Sequence, residues 1–197
     1  MKYRFLIPTL LIVAVALPGF LPFEASTFHV REPDSRVTFT LTKWTVFKEE
    51  GRFTNFSGEI KYDESNPEQL EVRFEVQVNS IDTQNSTRNK RLMGEDFFDQ
   101  KAYPAMSFES RNVRTLEDGT LEVTGDLSIK GVTREMTIPV IPLGVNRVSN
   151  FGTIAGFETE FQINRIDFNV TGHRWSGGKN ILGHTVDIKL LVSAELK

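Results

Sequence analysis

At 197 residues the chain has room for one domain of ordinary size plus a leader, and too little for two independent cores. A content of 39% hydrophobic and 25% charged residues argues against a disordered chain or an integral helical bundle, and a net charge of -3 gives no electrostatic reason to hold nucleic acid. Cysteine is absent, which removes disulfides, thiol nucleophiles, zinc–thiolate sites and an acylated N-terminal cysteine.

Lys2 and Arg4 precede an uncharged apolar run from Phe5 to Phe23, the layout of an export signal. Pro8, Pro18, Gly19 and Pro22 interrupt that run and weaken it as a spanning helix, so cleavage is expected near Ala25, with an uncleaved anchor as the alternative. Residues 1–25 are therefore read as a signal peptide and 26–197 as the folded domain. A periplasmic or secreted location follows, with membrane contact only through an uncleaved leader or in passing; homo-oligomers are compatible with this reading.

Beyond the leader, apolar side chains recur with period two, the signature of strands whose successive residues face opposite ways. Val37, Phe39 and Leu41 alternate with Thr38, Thr40 and Thr42. Phe47 to Asn55 reads as a connecting loop. Leu70, Val72, Phe74, Val76 and Val78 then alternate with charged or amide residues, and Asp82 to Gly94 holds a short helix with a polar start and a glycine end. Met106 and Phe108, then Leu121, Val123, Leu127 and Ile129, then Phe157, Phe161 and Ile163, and finally Val186 through Ala194 continue the rhythm. Asn66-Pro67, Glu117-Asp118-Gly119 and Lys130-Gly131 are turn chemistry between these runs. Gly172 to Gly183 is a glycine-rich loop whose GHRWSGGK stretch lacks the register of a phosphate loop.

About eight such strands with no covalent staples predict an all-β fold, an antiparallel sheet closed into a barrel with a short helical insertion. Such a barrel is just wide enough to be packed with side chains or to hold one small apolar ligand. Sixteen Phe residues supply apolar volume without a polar handle, for a dense core or a greasy tunnel.

Catalytic and metal constellations are missing from the sequence. His29, His173 and His184 form no metal-ligand or nucleophile–base spacing, and His184 and Asp187 fall on opposite faces of one strand. No catalytic residue, metal or cofactor is assigned. Arg88, Lys90 and Arg91 sit in the helical insertion near Glu95, Asp96 and Asp99, as solvated ion pairs or as contacts for a ligand headgroup. Arg165 interrupts apolar strand positions, so it is either a structural ion pair or a headgroup contact.

Two stretches are more specific. Ser80, Ile81, Asp82, Thr83, Arg88, Leu92, Phe97, Phe98, Asp99, Tyr103, Pro104 and Phe108 form one, and GDLSIKGVT from Gly125 to Thr133 forms the other. In this order and at this distance they resemble the YceI-like family of small bacterial envelope proteins, loosely from about Thr27 to the C-terminus. The resemblance implies a lipocalin-like barrel, elongated and apolar, that binds an isoprenoid lipid, a polyprenyl phosphate or isoprenoid quinone, without catalysis. The chain departs from the family pattern at Asn89 and Arg91, where the family has Asp and His, and at Asn169, where it has Gly, so headgroup recognition transfers least.

By alternation, the expected lining residues are Phe39, Leu41, Phe74, Val76, Phe108, Leu127, Phe157, Phe161 and Leu190, with Arg88 and Arg165 as headgroup contacts. The competing reading is a structural or interaction protein of the envelope with a packed barrel, whose loops Phe47 to Asn55 or Gly172 to Gly183 engage a partner. Interior volume separates the two.

Overall fold

Alternation becomes architecture through eleven strand segments and one helix in the computed structural model, which describes residues 25–44, 46–149, 152–173 and 181–197. The apolar run expected to be a signal peptide and most of the Gly172–Gly183 stretch lie outside the described residues. The strands are β1 (Ser26–Val30), β2 (Arg36–Lys43), β3 (Phe47–Phe53), β4 (Phe56–Tyr62), β5 (Glu71–Gln77), β6 (Ile81–Asp82), β7 (Ala105–Thr115), β8 (Leu121–Ile129), β9 (Val132–Val148), β10 (Gly152–Asn164) and β11 (Leu182–Leu196). The helix α1 (Ser86–Leu92) lies between β6 and β7.

Three of the strands are interrupted, which reduces the eleven segments to eight antiparallel ribbons. β1 and β2 pair with successive stretches of β11, through Phe28↔Leu196 and Val37↔Leu190. β4 and β3 run along that same broken strand, through Phe28↔Ile60 and Val37↔Phe53. β5 and β6 follow them in turn, through Phe56↔Val76 and Phe53↔Ile81. From β5 the sheet continues through β7, β8, β9 and β10 to β11, and the β1–β11 pairing closes it. The first break has a visible cause: Pro33 in the turn Glu32–Asp34 cannot donate to a ladder, and Arg31 holds the turn through Asp34 at 2.8 Å and Glu195 at 2.7 Å.

One expectation needs correction. Phe47 to Asn55 is mostly strand, because Phe47–Phe53 pairs with β2 along its whole length. Its polar look arises because Glu49 and Gly51 stand opposite Leu41 and Phe39, where an apolar residue would have signalled a strand. The expected short helix occupies Ser86–Leu92 within Asp82 to Gly94: Asp82 itself belongs to β6 and accepts from Gln84 N at 2.8 Å, and Gln84 has φ 57, outside helical space. Asn85 caps the helix instead, accepting from Arg88 N at 3.0 Å.

One end of the barrel is packed solid. Leu121, Val123, Ala155 and Ala194 have no measurable exposure, and Phe28, Ile60, Tyr62 and Phe157 are buried around them. Tyr62 meets Phe157 edge to face, with ring centroids 5.1 Å apart. A second cluster of Phe97, Ile129, Phe168 and Val170 packs the segments after α1 and after β10 onto the opposite end.

Candidate functional site

Between the sealed floor and that second cluster, the inward faces of the strands enclose an apolar cavity of about 730 Å³. Ile60, Val123 and Phe157 form its floor, and Leu92, Phe97 and Phe98 partly roof it. A Phe-rich interior stays open because of where its rings are placed. Phe39 sits against Gly51, Phe74 against Gly58 and Phe108 against Gly125, each glycine lying on the neighbouring strand. A Cβ at Gly58 would lie 2.8 Å from Phe74 Cδ2, and one at Gly125 would lie 2.7 Å from Phe108 Cζ. Without a methyl beneath them, these rings lie on the wall instead of standing in the lumen.

The rim is polar and tied together. Glu49 receives Lys43 Nζ at 3.0 Å and pairs with Arg88, and these contacts, Lys43 foremost, hold its carboxyl below the usual glutamate range. Arg88 also donates through Nε to Thr83 Oγ1 at 2.9 Å and through Nη2 to the Thr83 carbonyl at 3.1 Å. The Thr83 hydroxyl donates to Asn89 Oδ1 at 2.6 Å, and Thr83 N donates to the same oxygen at 2.9 Å. Asn89 thus serves here as an acceptor through its side-chain carbonyl. Arg88 straps α1 to β3 at the cavity mouth.

Arg165 is 7% exposed and makes no ion pair at salt-bridge distance among the described residues, so of the two expected roles, structural ion pair or headgroup contact, the first is not what holds it. Its guanidinium instead donates to four backbone carbonyls: Gly183 at 2.8 Å, Val170 at 2.6 Å, Thr171 at 2.7 Å and Leu182 at 3.1 Å. Burial lowers its pKa from the arginine range, with Asp96 acting in opposition. The clamp joins the turn Arg165–Phe168 to the start of β11. Asn169 ends that turn at φ 57, in left-handed space where glycine is at ease and Asn is tolerated.

All nine expected lining residues, Phe39, Leu41, Phe74, Val76, Phe108, Leu127, Phe157, Phe161 and Leu190, stand on the cavity wall, and Arg88 and Arg165 lie at its upper levels. Sequence reasoning missed Val72, Ile138, Val140, Val186 and Ile188, which continue the same inward rows. It also missed Thr159, 8% exposed on the wall, whose hydroxyl finds no hydrogen-bond partner among the described residues. Nothing but its strand parity between Phe157 and Phe161 pointed there. His29, His173 and His184 lie on separate elements, and no group of three metal-ligating side chains converges among the described residues.

A closed antiparallel barrel with a sealed floor, a partly roofed mouth and an apolar cavity inside defines a lipocalin-like barrel. The family model of the YceI-like domain matches residues 28–194, and the chain belongs to that family. It is similar to protein YceI of Salmonella arizonae, 35% identical over 121 residues; the match spans 61% of this chain and 63% of that relative's length. Among solved structures, BcnA of Burkholderia cenocepacia superposes with a TM-score of 0.74 at 28% identity, covering 83% of this chain and 98% of that one. A polyisoprenoid-binding domain of Saccharophagus degradans, 19% identical, shares the fold with a TM-score of 0.68 over 88% of this chain and 99% of its own.

Proposed function

We propose that this protein is a non-enzymatic carrier of an isoprenoid lipid, a polyprenyl phosphate or isoprenoid quinone, in the bacterial envelope. The observation that carries this reading is the cavity of about 730 Å³ walled by apolar side chains, a size within the range of roughly 300–1,000 Å³ common to ligand sites. Each buried methylene contributes about 0.8 kcal/mol, so several prenyl units offset the roughly 4–15 kcal/mol lost on association. Tail length then governs affinity. The tail lies between the Phe39, Phe74 and Phe108 walls with the headgroup toward the rim, where Arg91 and the strapped Arg88 line the upper cavity. Arg165, with its carbonyl contacts in place, contributes positive potential more than a free donor fork.

The competing reading, a partner-binding protein with a packed barrel, does not fit an interior of this volume. Native mass spectrometry of protein purified without detergent tests the proposal. A copurifying isoprenoid, or retention of an added polyprenyl phosphate, is expected; finding neither overturns carriage. Export by the N-terminal run, with cleavage near Ala25, completes the proposal, and the mass of the mature chain checks it.

A further inference from the structure

The hairpin that joins β2 to β3 ends in apolar residues where turn chemistry ordinarily places Gly, Asn or Asp. Val46, Phe47 and Trp44 are 76%, 60% and 56% exposed, the three highest values among the large apolar side chains described. Trp44 stands edge-on to Phe47 with ring centroids 6.2 Å apart, and the Lys43 ammonium lies 4.5 Å from the Trp44 ring centre. Lys43 itself lines the cavity and pairs across the hairpin with Phe47, so the tip prolongs the cavity wall beyond its rim.

Charge around the tip favours one kind of partner. Lys48 is exposed on the same hairpin and Lys90 on the neighbouring α1, while Glu49 is engaged by Lys43 and Arg88. Glu50, exposed on β3, opposes them in part, which leaves the aromatic side chains as the leading contribution. Indole and phenyl rings beside lysine are the combination that settles at the boundary between headgroups and acyl chains, with the ammonium reaching toward phosphate.

We propose that the Trp44–Phe47 tip docks the cavity mouth onto a lipid bilayer bearing anionic headgroups, so that a prenyl tail passes from bilayer to barrel without crossing water. This rests on the lipid-carrier reading for its purpose, while the docking itself is measured separately. Trp175→Phe leaves Trp44 as the remaining one of the chain's two tryptophans, an internal reporter. With phosphatidylcholine vesicles containing a minority of phosphatidylglycerol, Trp44 emission is expected to shift to the blue and to be quenched by lipids brominated along the acyl chain. In the tryptophan-bearing parent, Val46→Ser with Phe47→Ser is expected to weaken vesicle cosedimentation by at least about tenfold. Both side chains are exposed, so the fold is untouched, and loading of a polyprenyl phosphate delivered in detergent stays normal. An unshifted Trp44, or vesicle binding reduced by less than about twofold in the double variant, overturns docking. Self-association that the same substitutions abolish, without vesicle binding, assigns the tip to a second copy of the chain and overturns it as well. Vesicle binding in a protein that loads no polyprenyl compound leaves docking standing and sinks carriage instead.

Discussion

Phe39 on β2 lies directly over Gly51 on β3, so close that a Cβ on the glycine would come within 2.7 Å of Cε1 and nearer still to Cζ. The three heavy atoms nearest to a Cβ at Gly51 all belong to that ring, whereas those nearest at Gly58 and Gly125 include backbone. Gly51→Ala therefore displaces the ring, and the open direction is the lumen. The variant is expected to lose about 1–3 kcal/mol by urea unfolding and to retain less polyprenyl probe than the parent in native mass spectra. Unchanged retention would detach the ring–glycine pairing from cavity size.

Thr159, on the cavity wall, carries a buried hydroxyl with no partner among the described residues. Such a group has already lost its water without compensation, so Thr159→Val, nearly the same shape, is expected to raise stability by about 1 kcal/mol. Urea midpoints at constant m-value give the answer, and a loss of stability would mean that the hydroxyl is satisfied in solution.

The Arg165 clamp makes a sharper demand. A lysine there keeps the charge but cannot span the four carbonyls that the planar fork reaches. Arg165→Lys is expected to cost about 2–4 kcal/mol and to raise amide exchange at the start of β11. Retained stability would show that the carbonyls find other donors.

Acid should loosen the rim before it unfolds the barrel. Glu49 has a folded pKa held below its ordinary 4.5, so the carboxylate favours the folded rim above pH 4.5, and that contribution fades as pH falls through the lowered value. Hydrogen exchange across α1 is expected to stay constant from neutral pH to 4.5, after correction for intrinsic rates, and to accelerate below it. Glu49→Gln should exchange fast at every pH. A variant that keeps the parent's acid profile would remove Glu49 as the cause.

Much of the barrel was legible because strand parity sorts residues inward and outward with little ambiguity. Phe74, Val76, Phe157 and Phe161 were placed by that parity alone. The β3 segment was not, because its inward positions near the mouth are Glu49 and Gly51, whose reasons lie on other strands. Arg88 illustrates the same limit: its partner Glu49 is 39 residues away, a distance no local pattern encodes. Whether the phenyl groups fill the interior or lie on its wall depends on which glycine each one faces, and that is a matter of register. Arg165 was recognised as costly to bury, yet backbone carbonyls leave no trace in a sequence, so the remedy could not be read there.

The seam between β1 and β11 has a kinetic consequence. Arg31 and Glu195, which fasten it, are 164 residues apart. Ring closure over so long a loop is entropically slow and waits on the meander between them, so the container is assembled last. Until that final zippering the sheet has two raw edges and an uncovered greasy face, the form in which aggregation competes with folding.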